Sequence, residues 1–152
     1  MKILSYVAII ISMACLVGCA SDGIEPPPPL NLYVSASKEL NDGHMVYMLI
    51  RNVNEKQFIS ENYEAVVSKV FPLTEDATLL SYKPIYPGES VKFSIEKPLK
   101  GTIGLYFMFT TPGGYWKNLL QMPLDDEYMV SLPSGNNVLI EASPWFYKKW
   151  FY

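Results

Sequence analysis

The strongest constraint on the fold is a series of short β-rich runs, separated at spacings of about ten to fifteen residues by turn-forming residues. Two of the runs, SVKFSIE at 90–96 and TIGLYFMFT at 102–110, flank Lys100-Gly101, and Pro87-Gly88 precedes the first. The strands predicted in this part of the chain are 78–83, 90–96, 102–110, 115–122, 128–132 and 137–142. Many short strands with such punctuation are typical of an antiparallel β-sandwich and not of a parallel sheet.

Two further strands and one helical segment are predicted before these runs. The sequence LNLYVSA at 30–36 alternates apolar and polar residues, as a half-buried strand does, and MVYMLIR at 45–51 forms a second strand. Between 55 and 70, apolar residues recur near helical spacing, with Asn54 and Ser60 as candidate N-caps, which predicts one or two short helices. The predicted fold class is therefore mainly all-β: an antiparallel β-sandwich of about eight strands with a small helical insert.

The N-terminus carries an apolar run at 3–17, which follows Lys2. Such a run of about 15 residues is shorter than the roughly 20 that a membrane-spanning helix needs, and it is typical of a secretory signal peptide. Its exit, Leu16-Val17-Gly18-Cys19, resembles the lipobox of bacterial lipoproteins. This resemblance implies cleavage before Cys19, a diacylglycerol on the Cys19 thiol and, because neither Ala20 nor Ser21 is an aspartate, sorting to the outer membrane. The alternative is an ordinary free cysteine beside an uncleaved anchor.

The mature chain would then have no disulfide, because Cys15 leaves with the signal peptide and Cys19 is lipidated. Removing residues 1–18 leaves 152 − 18 = 134 residues and a formal charge of 11 − 15 = −4, which gives no basic surface for nucleic acid. We predict four segments: a signal peptide at 1–18, a lipidated and Pro-rich tether at 19–29, the sandwich at 30–143 and an aromatic tail at 144–152.

Residues that carry chemistry are scarce. His44 is the only histidine, and it lies at a predicted junction between a loop and a strand without a nucleophile motif nearby. The acidic trio Asp125-Asp126-Glu127 lacks the spacing of a calcium loop, and a solvated turn is the better interpretation. We therefore predict no catalytic residue, no metal site, no cofactor and no enzymatic activity.

The order of elements along the chain resembles a known family, the outer-membrane lipoproteins of the type VI secretion system (TssJ/SciN-like). The shared elements, in chain order, are the lipobox, LNL in the first strand, Arg51 at the end of the second, Phe58, Tyr63 and Val66 in the helix, PGES at 87–90, IGLYFMF at 103–109 and Trp116-Lys117. The chain departs from the family at Thr110, where members often have arginine, and in the tail, which extends past the point where many members stop.

This resemblance implies a lipid-anchored protein on the inner leaflet of the outer membrane, facing the periplasm. It would bind the periplasmic part of the large inner-membrane subunit and so anchor the envelope-spanning secretion complex, without turnover. In the family, the loop between the first two strands takes part in this contact; here it comprises Ser37, Lys38, Glu39, Leu40, Asn41, Asp42 and Gly43. Leu40 would be an apolar anchor for a partner's pocket, or would fold back onto the edge of the sandwich.

Three further questions remain open from the sequence. A row of tyrosines on a sandwich face (Tyr47, Tyr82, Tyr86 and Tyr106) would instead suit a lipoprotein that binds a glycan, a peptide or an enzyme. Trp116 is either a core residue or an interface residue. The tail residues Trp145, Phe146 and Trp150, with their aromatic neighbours, would pack on the sandwich, lie in a membrane interface or form a subunit contact.

Overall fold

The structure is a computed structural model that describes residues 28–70, 76–120 and 122–143. Within these ranges the chain forms eight strands, two α-helices and one short 3₁₀ turn at Asn41–Gly43. The strands are β1 (Leu30–Ala36), β2 (Val46–Val53), β3 (Leu79–Ile85), β4 (Ser90–Ile95), β5 (Thr102–Met108), β6 (Lys117–Leu119), β7 (Glu127–Leu132) and β8 (Leu139–Ala142). The helices are α1 (Glu55–Ser60) and α2 (Tyr63–Val70). The predicted strand number and helical insert are confirmed, whereas Cys19 and the tail at 144–152 lie outside the described residues.

The strands form two four-stranded sheets that pack into a sandwich. The first sheet has the order β4-β1-β7-β8 and the second has the order β3-β2-β5-β6. Neighbouring strands are antiparallel with one exception: β1 and β7 pair in parallel, from Asn31 opposite Glu127 to Ala36 opposite Leu132. A parallel pair needs a long connection between its strands, and here the connection from β1 to β7 includes all four strands of the second sheet. The sandwich is therefore mixed at this one pair.

The core lies between the sheets and is built by alternation along the strands. Leu30, Leu32 and Val34 of β1 are buried, and Phe93 of β4 packs against the same cluster. Lys92 on β4 points to solvent. Strand β5 differs, since all seven of its residues are buried. One face of β5 contacts the core, and the helical insert covers the other face.

The two helices begin at asparagine caps. The Asn54 side chain accepts a hydrogen bond of 2.8 Å from the Gln57 amide, as predicted. For α2 the predicted cap at Ser60 is wrong: the Asn62 side chain accepts from the Ala65 amide at 2.8 Å. Ser60 instead ends α1 and donates its hydroxyl to a carbonyl of that helix. Within the described residues, no helix has the length and apolar character to cross a bilayer.

Candidate partner-binding surface

Strand β1 separates the predicted partner-binding loop from the point where the tether would join the domain. The tether leads into Leu30, and the loop follows Ala36 at the far end of the strand. Six steps of about 3.3 Å place these two points about 20 Å apart. The predicted loop therefore lies at the end of the sandwich opposite to the tether.

Four connections meet at this end, which we call the loop end: residues 37–45, 86–89, 109–116 and 133–138. Backbone hydrogen bonds join three of them. The Ser37 amide donates to the Leu132 carbonyl at 2.8 Å, and the Gly88 amide donates to the Ser37 carbonyl at 3.0 Å. The predicted loop is thus tied to its neighbours at its first residue.

Gly135 closes the middle of the predicted loop. The Asn41 amide donates to the Gly135 carbonyl at 2.9 Å, and the Gly135 amide donates to the Glu39 carbonyl at 3.1 Å. Gly135 has a φ of +71°, a conformation that glycine adopts without steric cost. Through these two bonds the loop pairs with the β7–β8 connection in the way that neighbouring strands pair in a sheet.

The Asn41 side chain fastens the loop to the β5–β6 connection. Its amide nitrogen donates to the Met45 carbonyl at 3.0 Å and to the Thr110 hydroxyl at 3.1 Å, and its amide oxygen accepts from the Thr110 amide at 3.0 Å. Asn41 is 2% exposed and has a φ of +48°, a conformation that asparagine adopts more readily than most residues. The Asn41 side chain is therefore bonded to Thr110, the residue at which this chain departs from the family pattern.

Leu40 is not an exposed anchor. Its side chain is 0% exposed and belongs to the core cluster between the sheets, so the alternative in which it folds back onto the sandwich is the one observed. The exposed part of the loop is polar and comprises Lys38, Glu39, Asp42 and Gly43, while Ser37 is half-buried. Any partner contact through this loop must therefore use polar groups and backbone.

The Ser37 hydroxyl orders the exposed part of the loop. It donates to the Glu39 carboxylate at 2.5 Å and accepts from the Glu39 amide at 3.1 Å. The hydrogen bond from Ser37 holds the pKa of the Glu39 carboxyl below its usual range. Glu39 thus presents a fixed negative charge beside Lys38 at neutral pH.

Exposed apolar side chains accompany the loop at this end. Met45 precedes β2 and Tyr86 follows β3, directly beyond the pair formed by Val46 and Ile85. Met45 is 40% exposed, Tyr86 is 54% exposed, and Tyr115 in the β5–β6 connection is 61% exposed. Tyrosine and methionine are enriched in protein interfaces, and the sequence patterns alone did not single out Met45 or Tyr115.

A second cluster of polar groups lies between the second sheet and the helical insert. Arg51 of β2 pairs with Glu61 at 2.8 Å and with Asp76 at 2.9 Å, and its guanidinium is 1% exposed. The Tyr106 hydroxyl donates to Glu61 at 2.9 Å. Thr78 donates to Asp76 and accepts from Arg51. Both carboxylates are thus paired with the one guanidinium that lies between them.

The charged forms of both carboxylates are favoured in this cluster. Burial raises the pKa of Glu61, but the hydrogen bonds from Tyr106 and Arg51 and the charge of Arg51 outweigh it, so the pKa lies below its usual value. Burial likewise opposes ionisation of Asp76, whose pKa is lowered by its hydrogen bonds from Thr78 and by the charge of Arg51. Burial raises the pKa of Tyr106, and the hydrogen bond to Glu61 raises it further. The cluster holds two anions and a neutral phenol at pH 7.

Lys117 fixes the C-terminal end of α1. Its ammonium donates to the carbonyl of Phe58, to that of Glu61 at 2.6 Å and to that of Ile59 at 3.4 Å. The last carbonyls of a helix have no partner within the helix, and a cation there also opposes the negative end of the helix dipole. Burial lowers the pKa of Lys117, and the charge of Glu61 partly offsets this. The role of this cluster is to hold the insert on the sheet.

Of the remaining candidate residues, Trp116 packs against the core, whereas His44 and Asp126 are exposed. Trp116 is half-buried, packs against both hydrophobic clusters and meets the Tyr63 ring edge-on at 5.3 Å, as the core interpretation predicts. His44 is exposed, and its ring nitrogen lies 3.2 Å from the Asn41 carbonyl. Asp126 pairs with Lys97 at 2.5 Å. Among the described residues, no group of three or more histidine, cysteine or acidic side chains could hold a metal ion.

The four tyrosines that would have suited a ligand-binding lipoprotein do not form one exposed row. Tyr106 is 0% exposed beneath the insert, and Tyr47 is half-buried in the same cluster. Only Tyr82 and Tyr86 of the four are exposed. The helical insert covers Tyr106 and part of Tyr47, because the apolar sides of α1 and α2 must themselves be buried.

The fold and the loop end together define a class of protein: a small β-sandwich that presents polar loops from a rigid scaffold. The family model described as "IglE, N-terminal domain" matches residues 47–132, and the chain belongs to this family. No curated protein matches the sequence significantly.

Solved structures of type VI secretion proteins share the fold. The lipoprotein TssJ1 from Pseudomonas aeruginosa matches with a TM-score of 0.58 at 15% identity, over 78% of this chain and 98% of that chain. Lip from Serratia marcescens, described as a membrane-bound component of the type VI secretion system, matches with a TM-score of 0.60 at 12% identity, over 78% of this chain and 99% of that chain. A structure described as a type VI membrane complex matches with a TM-score of 0.61 at 19% identity, over 75% of this chain and 98% of that chain. The fold implied by the resemblance to type VI lipoproteins is confirmed by these structures, and the match to the family model supports the resemblance itself.

Proposed function

We propose that this chain is an outer-membrane lipoprotein of a type VI secretion apparatus. Acylated at Cys19 and facing the periplasm, it anchors the membrane complex by binding the periplasmic part of the large inner-membrane subunit. The role requires no turnover and no cofactor. A further structure, described as the type VI protein TssM C-terminal domain from EAEC, also has a similar fold, with a TM-score of 0.55 at 21% identity over 74% of this chain and 99% of that chain.

The observation that carries the proposal is the placement of the loop end. The loop at 37–43 lies about 20 Å along β1 from Leu30, where the tether joins the domain. A protein held to the outer membrane through Cys19 can therefore present this loop away from the lipid. The tether at 19–29 adds reach, since an extended Pro-rich segment rises about 3.1 Å per residue.

The proposed contact combines fixed polar groups with exposed apolar side chains. Lys38, Glu39 and Asp42 supply charges on a loop whose backbone is held by Asn41 and Gly135. Met45 and Tyr86 supply apolar contact area beside them. A rigid loop loses little conformational entropy on binding, which favours affinity.

The test is co-purification of the partner with the lipoprotein. The full-length protein is tagged at a tolerated site, the envelope is solubilised in mild detergent, and the captured proteins are identified by mass spectrometry. We expect a large inner-membrane secretion subunit in the wild-type sample. A loop variant with Lys38→Glu, Glu39→Lys and Asp42→Asn should lose it, and asparagine keeps the positive φ of residue 42.

The matched control places the same kind of change elsewhere on the surface. Lys92→Glu with Glu96→Lys alters exposed residues in and just after β4, outside the loop end, and should retain the partner. Leu40 and Asn41 are unsuitable for this test because both are buried, so their replacement would disturb the fold. Retention of the secretion subunit by the loop variant, or capture of only a soluble enzyme or a saccharide by the wild type, would overturn the proposal.

A further inference from the structure

We propose that the sandwich rests on the phospholipid surface through two apolar loop tips, Leu99 and Met122, at the end where the tether joins the domain. Leu99 lies in the connection between β4 and β5, and Met122 lies in the connection between β6 and β7. This contact deepens the proposed function, since it rests on the proposed lipid anchor for the identity of the membrane.

The two tips expose more apolar surface than their surroundings do. Leu99 is 94% exposed, more than any other large apolar side chain among the described residues, and Met122 is 63% exposed. Each lies beside a proline, Pro98 before Leu99 and Pro123 after Met122. Single apolar side chains are ordinary on a protein surface, so what distinguishes these two is their position.

Both loops are tied to the start of the domain. The Asn31 amide, at the beginning of β1, donates to the Asp126 carbonyl at 2.8 Å. The Asp126 carboxylate pairs with Lys97 at 2.5 Å, and the Lys97 ammonium also donates to the Leu124 carbonyl at 3.1 Å. The two connections are therefore bonded to each other and to the residues that follow the tether, at the end opposite to the loop end.

The two tips also lie close to each other. The Thr102 hydroxyl donates to the Leu120 carbonyl at 3.1 Å, so the residue that ends one loop is bonded to the residue that begins the other. Met122 and Gly101 line the same depression, which has a volume of about 410 Å³. Gly101 is two residues from Leu99, so their Cα atoms are at most about 7 Å apart. Leu99 and Met122 can therefore enter one surface together.

The charges around the tips nearly balance. Lys97 is paired with Asp126, and Glu96, Lys100 and Asp125 are exposed. These five groups together carry one net negative charge, which does not attract an anionic lipid surface. The apolar side chains must then supply the contact, while Lys100 can keep its ammonium among the headgroups. We therefore expect the contact on zwitterionic phospholipid.

The small apolar area suits a lipid surface better than a protein partner. A specific protein interface buries about 800 Å² on each side, which is more than two side chains and their neighbouring prolines provide. A domain that is already held at the membrane needs less area, because insertion of the tips is then an intramolecular step. From Cys19 to Pro28 the chain spans at most about 30 Å, so the anchored domain stays within reach of the lipid.

The test places an environment-sensitive dye at one tip at a time. Residues 20–152 contain no cysteine, because the two cysteines of the chain are Cys15 and Cys19. Leu99→Cys or Met122→Cys therefore provides a single thiol for a nitrobenzoxadiazole label. An N-terminal hexahistidine tag, bound to a nickel-chelating lipid in phosphatidylcholine vesicles, takes the place of the acyl anchor. We expect the vesicles to shift the emission of both labels to the blue and brominated phosphatidylcholine to quench it.

Leu139→Cys is the matched control. Leu139 is an exposed leucine of β8 that lies opposite Ser131, near the loop end of the first sheet, so its label should show neither the shift nor the quenching. In the protein labelled at Met122→Cys, Leu99→Ser should lower the ratio of inserted to free domains about tenfold or more, because burial of one leucine accounts for at least that factor. All variants should unfold at the wild-type temperature, since the replaced side chains are exposed.

Three outcomes would overturn the inference. Labels at positions 99 and 122 that do not respond to vesicles exclude insertion of the tips. A label at position 139 that responds equally shows a lipid contact without the proposed orientation. Emission that is already blue before vesicles are added shows that another part of the chain, or a second copy, covers the tips. Because the tag replaces the acyl chain and no secretion subunit is present, each of these leaves the proposed anchor at Cys19 and the proposed partner untouched.

Discussion

Arg51 Nη1 lies 2.8 Å from Glu61 Oε2, and the two side chains are 1% and 6% exposed. Arg51 belongs to β2, whereas Glu61 follows α1, so this contact joins the helical insert to the second sheet. A buried ion pair adds little net stability relative to an apolar pair of similar shape, but removing one partner leaves an uncompensated charge. The contact therefore determines the position of the insert on the sheet, and it contributes little to the free energy of unfolding.

Removing the guanidinium should be strongly destabilising. Arg51→Met leaves the buried Glu61 and the partly buried Asp76 without the guanidinium that pairs with both, and we expect a loss of about 3–5 kcal/mol in the free energy of unfolding. Lys69→Met is the matched control, because Lys69 also pairs with Glu61, at 3.2 Å, but is 49% exposed and should cost at most about 1 kcal/mol. Urea denaturation measures both. Equal losses in the two variants would contradict this account of the cluster.

Stability should decrease in acid because of the same two carboxyls. Their pKa values are lowered in the folded protein from ordinary values of 4.5 for Glu61 and 3.8 for Asp76. As the pH falls below about 4.5, the unfolded chain therefore binds more protons than the folded protein does, and the free energy of unfolding falls. Urea denaturation between pH 7 and pH 3 checks this. Glu61→Gln with Asp76→Asn should flatten the dependence, and an unchanged slope would assign it to other groups.

The Asn41 fastening should matter more than the rest of the loop. Asn41→Ala loses three hydrogen bonds and places alanine, which adopts positive φ less readily than asparagine, at this position, so we expect a loss of about 3 kcal/mol in the free energy of unfolding. Asn41→Gly loses the same bonds but relieves the backbone and should cost about 2 kcal/mol. The exposed neighbour Asp42 also has positive φ, and Asp42→Gly should be neutral or slightly stabilising. Thermal unfolding distinguishes these cases. A neutral Asn41→Ala would show that the fastening is dispensable.

Alternation and turn residues predicted most of the fold. The face formed by Leu30, Leu32 and Val34 followed from polarity alone, because a strand has a period of two residues. The parallel pairing of β1 with β7 could not be predicted in this way, since pairing between distant strands depends on the whole topology. The pattern of each strand is the same whichever neighbour it takes.

The candidate site was less predictable. Leu40 stands among polar residues, and nothing local indicates that the chain turns it into the core. The fastening depends on Thr110, which is 69 residues from Asn41 in the chain. The sequence predicts Arg51 at the end of an apolar strand, but its ion-pair partners come from the insert and from the segment before β3. Such contacts between distant segments exist only once the sheets are assembled.

Gly101 should tolerate a side chain poorly, since it combines positive φ with close contact to the Asn52 side chain. Its φ is +87°, and a Cβ there would lie 2.2 Å from Asn52 Oδ1. Gly101→Ala should therefore cost about 2 kcal/mol or more, from the backbone conformation and from displacement of Asn52. Gly114→Ala is the matched control, because a Cβ at Gly114 meets nothing within 4 Å. Adding Asn52→Ala to Gly101→Ala should restore only the part of the lost free energy of unfolding that comes from the clash with Asn52. Urea denaturation of the wild type, the two single variants and the double variant measures this coupling between residues 52 and 101. Equal losses for the two glycine variants would contradict the prediction.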